Sequence, residues 1–118
     1  VCVAANAEHL DRALTTLVSN GVKYTTNAGT VTLSLDGDAE TARLQVSDTG
    51  IGIPEDALPH LFEEFYRAPN AKAQIKQGTG LGLAITREII ERYGGTIRVS
   101  SALDRGTTFN VTLPRLQD

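Results

Sequence analysis

The chain has 118 residues, of which 41% are hydrophobic and 21% charged, with a formal net charge of -3. That is the composition of one ordinary globular domain with room for a real core; it excludes a disordered, fibrous or membrane-spanning class, and the negative balance argues against nucleic acid as the main partner. The single cysteine, Cys2, excludes an internal disulfide and is read as a small buried hydrophobe, consistent with a reducing compartment. No apolar run reaches the length of a membrane span, no signal pattern opens the chain, and a first residue of Val1 suggests a piece of a longer protein.

In chain order, VCVA predicts a short strand, and Asn6 then caps a helix from about Ala7 to Tyr24, with Leu10, Ala13, Leu14, Leu17, Val18 and Gly21 as its core stripe. TVTLSL and ARLQVSD alternate on either side of a DGD turn and predict an antiparallel hairpin. PEDALPHLFEEF, with acids at its start, contains a short helix. Arg67 to Gln77 is polar and aperiodic and reads as a mobile loop. LGLAITREIIERYGG predicts a helix with Leu81, Ile85 and Ile89 along one side, stopped by Gly94 and Gly95. TIRVSS and TTFNVTLP predict a second hairpin across ALDRG. The order implies an α+β two-layer sandwich, a mixed sheet with helices packed on one face.

Three features carry chemistry. Thr16, Asn20 and Lys23 share a polar helix face beside the buried stripe, which is either a solvated edge or a seat for a metal-bound polyphosphate. GTGLGL opens the second long helix, where glycine backbone amides and the helix dipole can hold an anion; no Gly-Lys-Ser/Thr follows, so it is not a P-loop, and no hydrophobic strand precedes it, so it is not a Rossmann turn. Asp48 ends the apolar alternation Ala42, Leu44, Val46 and so points inward. Such a carboxylate needs donors. It either caps its own turn through the amides of Thr49 and Gly50 or accepts from a ligand amino group, with Gly50 and Gly52 clearing space for a flat ring.

In series, the asparagine helix, DTGIG, FEEFYR, GTGLGL and GTTF resemble the catalytic ATP-binding domain of sensor histidine kinases, within the superfamily that includes gyrase, mismatch-repair and heat-shock chaperone ATPases. The resemblance spans the whole chain and implies the Bergerat-type fold, residues 1–118 forming one catalytic domain with an ATP lid at about 67–79. It implies that Asn20 ligates Mg2+, Lys23 reaches phosphate and Tyr24 lies against the nucleotide. Asp48 would receive the adenine amino group, flanked by Gly50, Gly52 and Ile53. Phe62 and Phe65 would seat the lid, and Arg67 would reach the terminal phosphates. Gly78, Thr79, Gly80, Leu81, Gly82 and Leu83 would hold phosphates through their amides, and Thr107 would supply an adenine-side hydroxyl. The strand parity of Thr107 with Phe109, Val111 and Leu113 independently turns it inward.

Asn20, Lys23 and Arg67 are therefore the expected catalytic residues, ATP and Mg2+ the expected ligands, and a histidine on a separate helical hairpin domain the expected acceptor. A response regulator would follow indirectly. The fragment would be a monomer, not competent without its acceptor domain, and the parent a homodimer. The domain would be cytoplasmic, in a family many of whose members are membrane-bound. Two positions depart from the pattern. Thr16 stands where asparagine, or in hydrolysing relatives a glutamate base, is usual, and a threonine hydroxyl is no general base near neutral pH. Gly21 replaces the usual alanine, at a helix cost of about 1 kcal/mol. His9 and His60 lack the acceptor context and read as surface or structural residues. An anti-sigma-type serine kinase and a degenerate nucleotide-sensing or scaffold module are the competing readings.

Overall fold

The structure is a computed structural model that describes residues 3–25, 29–64, 66, 67, 69 and 82–115. Helix α1, Ala7–Tyr24, starts where expected: Asn6 Oδ1 accepts from the amides of Glu8 (2.9 Å) and His9 (3.1 Å). Such a cap contributes about 1 kcal/mol. One residue per turn, Ala13, Leu17 and Gly21, is fully buried, and the flanking Leu10 and Val18 pack beside the core.

Strands β1 (Val31–Gly37) and β2 (Thr41–Asp48) form the first hairpin, and β3 (Thr96–Ala102) and β4 (Gly106–Pro114) the second. They join as β1-β2-β4-β3. The register explains why the sheet has two unlike faces. Directly paired residues share a face, so the rows Leu33–Val46–Phe109–Val99 and Leu35–Leu44–Val111–Ile97 are apolar across all four strands. The alternate rows, Thr32–Ser47–Thr108–Ser100 and Ser34–Gln45–Asn110–Arg98, are polar throughout and face solvent. A single row breaks the apolar face: Val31–Asp48–Thr107–Ser101, at the end of the sheet.

Helix α2, Gly82–Arg92, lies with α1 on the apolar face. The core is Ala13 and Leu17 from α1, Ile89 and Ile90 from α2, and Val46, Phe109, Val111 and Leu113 from the sheet. The buried stripe of α2 is Thr86, Ile89 and Ile90, rotated from the expected line; Ile85 is only partly buried and Leu81 lies outside the described residues. Thr86 is tolerated in the core because its hydroxyl donates to the Gly82 carbonyl one turn back, at 2.9 Å. Between the hairpins, the predicted short helix is a 3-10 turn, Glu55–His60. Pro59 inside it lacks the amide that an α-helical ladder would need.

Two expectations are corrected. Val3 and Ala4, the described part of the predicted first strand, are in no strand, and they lead directly into the Asn6 cap. Every strand pairing among the described residues is antiparallel rather than mixed, since the parallel partner would have had to come from that segment. Both histidines are held by structural contacts: His9 Nδ1 lies 2.7 Å from the Tyr93 hydroxyl, and His60 Nδ1 lies 2.9 Å from Glu63 Oε1.

Gly21 has a packing reason. A Cβ there would come 3.1 Å from Val31 Cγ1 and 3.8 Å from the Asp48 Cβ, so α1 sits against the polar row at its one residue without a side chain. Gly21→Ala gains about 1 kcal/mol of helix propensity and loses a comparable amount in displacing Val31. We expect urea denaturation to place the variant within about 1 kcal/mol of the parent.

Candidate functional site

The site is built on the polar row. Asp48 ends β2 on the covered face, beneath α1, and is paired with Thr107 of β4. Its Oδ1 accepts from the amide of Gly50 at 2.9 Å and from the amide of Thr107 at 3.3 Å. Its Oδ2 receives no hydrogen bond from any described residue. Of the two alternatives left open by the sequence, the turn cap is present through Oδ1 alone, and Oδ2 takes no part in it. The amide of Thr49 takes no part in the cap, because it donates to the Thr30 carbonyl at 3.1 Å. Burial of the Asp48 carboxyl raises its pKa above the ordinary aspartate value, and the two amide bonds offset that only in part.

Thr107 is 7% exposed, in line with its inward parity. Ser101, opposite Thr107 in the β3–β4 register, places its Oγ 2.8 Å from the Thr107 hydroxyl, 2.8 Å from the Gly106 carbonyl and 2.8 Å from the amide of Ile53. Sequence reading missed Ser101. It identified the TIRVSS hairpin but did not align it, and alignment on GTTF would have placed Ser101 beside Thr107.

Gly50 and Gly52 serve a purpose other than the expected one. A Cβ on Gly50 would fall 2.2 Å from the Tyr24 carbonyl oxygen, and one on Gly52 would fall 2.0 Å from that of Ala102. The space beside them is filled by backbone rather than open to a ring. This close approach lets Ile51 bridge two parts of the fold: its amide donates to Tyr24 at 3.0 Å, and its carbonyl accepts from Asp104 at 2.8 Å. The glycines thus hold the loop after β2 against the end of α1 and the β3–β4 turn. Tyr24 and Ile53 are consequently fixed at the rim of the polar row.

The other end of the site is the start of α2. A Cβ on Gly82 would meet Thr16 Cγ2 at 3.1 Å, so α1 touches the first residue of α2 at Thr16 and the Asp48 side at Gly21. Those positions are five residues apart, about 7.5 Å along a helix. Asn20 lies between these positions, and Lys23 follows it on the Thr16 side of the helix. The Asn20 carboxamide is partly buried and makes no hydrogen bond to a described residue, and Lys23 is exposed. Leu83 packs against the core, and Arg67 is partly buried. Phe62 stands edge-on to Phe109, with ring centroids 6.4 Å apart, and so roots the FEEFYR segment in the core. Phe65, Gly78, Thr79, Gly80 and Leu81, with most of the expected lid at 67–79, lie outside the described residues.

This α+β sandwich, with its carboxylate seat beneath an asparagine-bearing helix, matches a known class of ATPase. The family model of histidine kinase-, DNA gyrase B- and HSP90-like ATPases matches residues 5–117, and the chain belongs to that family. Among curated proteins it is similar to the circadian input-output histidine kinase CikA of Synechococcus elongatus, 42% identical over 110 residues, covering 93% of this chain and 15% of CikA. It is also similar to the sensor protein SrrB of Staphylococcus aureus, 40% identical, covering 92% of this chain and 18% of SrrB. Among solved structures, the mycobacterial sensor histidine kinase MprB superposes with a TM-score of 0.86 at 32% identity, covering 95% of this chain and 76% of that one. Full-length ShkA in complex with AMPPNP gives 0.78 at 32% identity, covering 93% of this chain and 22% of that one. The chain spans less than a quarter of the length of these two curated relatives. Among the described residues, no helix is long and apolar enough to cross a membrane.

Proposed function

We propose that the domain binds Mg-ATP and donates the γ-phosphoryl group to a histidine on a separate phosphoacceptor domain of a two-component sensor kinase. The observation that carries this is the divided carboxylate of Asp48, with Oδ1 committed to backbone amides and Oδ2 uncommitted within a polar row. A 6-amino purine presents the donor that such an oxygen lacks. The base then lies over Asp48 and Thr107, with Tyr24 and Ile53 at its edge. The polyphosphate runs along the Asn20 and Lys23 face of α1 toward Gly82.

Metal chemistry fits this donor set in one form. Among the described residues there is no group of three acidic, histidine or cysteine side chains able to cage an ion. Asn20 supplies one uncommitted, partly buried carboxamide. That suits Mg2+, which takes one or two protein ligands and the rest from phosphate and water. When bound, Mg2+ would neutralise charge on the β- and γ-phosphates. Lys23 and Arg67 place positive charge at the terminal phosphate, and the backbone amides of Gly78, Thr79, Gly80, Leu81, Gly82 and Leu83 hold the phosphate oxygens. The segment at 67–79, seated by Phe62 and Phe65, covers them and excludes water. At Thr16 the methyl is the part turned to Gly82, and no carboxylate stands there to activate water. Transfer to a protein acceptor is thereby favoured over hydrolysis.

CikA and MprB are named as histidine kinases, which supports histidine rather than serine as the acceptor, and the intact Asp48 row supports an active domain over a scaffold. A response regulator then receives the phosphoryl group. By the same reading the parent protein is a homodimer and this domain lies in the cytoplasm. Incubating the chain with γ-labelled ATP, magnesium and the phosphoacceptor hairpin of its own parent protein tests this. Acid-labile, alkali-stable label on the hairpin is expected. Label that survives acid indicates a serine acceptor and overturns the assignment, as does bound nucleotide with no transfer.

A further inference from the structure

Ser101 is saturated in a way that dictates what Thr107 can do. A serine hydroxyl has one proton and two lone pairs, and the Ser101 Oγ has three partners at 2.8 Å. The amide of Ile53 can only donate to it, which uses one lone pair. The carbonyl of Gly106 can only accept from it, which uses the proton. The remaining contact, with Thr107 Oγ1, is therefore made through the second lone pair, and Thr107 is its donor. The Thr107 proton is thus directed along the sheet into β3, and only its lone pairs remain for the pocket. Asp48 Oδ2, in the next position of the same row, is likewise an acceptor.

We propose that Ser101 is a positioning residue that fixes Thr107 as a hydrogen-bond acceptor and so adds to the site's preference for a 6-amino over a 6-oxo purine. This rests on the reading of Asp48 as the acceptor for the base. With Ser101 in place, the row presents two acceptors and no donor to a group in direct contact at the 6-position. A 6-oxo group then faces lone pairs only. Without the Ser101 hydroxyl, Thr107 is free to turn its proton outward and serve an oxo group. Thr107 touches the base, and Ser101 acts only through it.

The test is the affinity, with magnesium, of non-hydrolysable ATP and ITP analogues for the chain, for Ser101→Ala and for Ser101→Thr. Wild type should prefer the adenine form, and Ser101→Ala should narrow the adenine-to-hypoxanthine ratio about tenfold, the worth of one hydrogen bond. Ser101→Thr restores the hydroxyl and should restore the ratio. A Ser101→Ala variant that weakens both analogues equally, leaving the ratio unchanged, overturns the proposal, because loss of structure alone has that effect. Wild type that binds neither analogue overturns instead the nucleotide reading beneath it. Should Ser101→Ala fail to fold, proton NMR of the unsubstituted chain decides. A slowly exchanging Thr107 hydroxyl proton with a nuclear Overhauser contact to the Ser101 side chain is expected, and exchange at the bulk rate overturns the assignment.

Discussion

Asp48→Asn should abolish nucleotide binding while leaving the empty domain as stable as before, or more so. The carboxamide oxygen of Asn can still accept from the amides of Gly50 and Thr107. Its amino group then stands where Oδ2 was, and two donors meet when a 6-amino purine arrives. A buried mismatch of that kind costs the lost bond and leaves polar groups unpaired, so affinity for an ATP analogue should fall by at least about 100-fold in calorimetric titration.

Stability should move the other way. The folded-state pKa of Asp48 is raised by burial. Between the unfolded value of 3.8 and that raised value the native state holds more protons than the unfolded chain, so this group's contribution to stability falls as pH rises through that window. Above the window the full cost of the buried charge is present, and Asn removes it. The apo melting temperature of Asp48→Asn at pH 7 should equal or exceed that of the parent, and the gain should vanish below pH 3.8. The same shift means that nucleotide affinity of the parent should begin to weaken above pH 3.8 as the medium is acidified. A destabilised Asp48→Asn domain would mean that the carboxylate is held for folding rather than for binding.

Gly106→Ala should be among the most damaging single-methyl additions at the described glycines. Gly106 has φ 106°, which L-residues rarely adopt, and a Cβ there would fall 1.9 Å from the Asp48 carbonyl oxygen. The clash cannot yield by a rotamer change, because the backbone fixes a Cβ in place and the atom it meets is itself backbone. Backbone strain of about 1–3 kcal/mol and the clash add, so we expect a loss of at least about 3 kcal/mol in urea denaturation. Nucleotide binding should be lost with it, since displacing either strand here parts Asp48 from Thr107. Gly21→Ala is the control, with the same added methyl meeting a movable valine side chain.

The elements were legible in the sequence because they are local. Asn6 capped α1, and alternation in TVTLSL and GTTFNVTLP set which face each residue took. The inward parity of Asp48 and Thr107 followed from that period alone. What was not legible depended on distant partners. Gly50 and Gly52 read as clearance for a ring because nothing local shows the Tyr24 and Ala102 carbonyls that occupy the space. Thr86 was missed in the core because its hydroxyl is satisfied by its own helix rather than by a recognisable pattern. Leu33 and Leu35 obey the inward parity yet are 56% and 64% exposed, since their strand is the sheet edge beyond the two helices. At the site, Asp48 and Thr107 carried sequence signals, whereas Ser101 required the register of two strands.

The strand order also sets when the site can come into being during folding. Each hairpin pairs strands that are neighbours in sequence, and such local contacts form early. The seam between β2 and β4 joins residues 59 or more positions apart, Asp48 and Thr107 being the nearest pair in sequence, so its closure entropy exceeds that of either hairpin and it should form after them. The polar row straddles that seam, with Asp48 on one hairpin and Thr107 and Ser101 on the other. A chain with both hairpins formed but undocked has no purine seat, so nucleotide should accelerate neither hairpin and should instead slow unfolding of the docked state. Binding competence is then a late event, acquired in one step with the completed sheet.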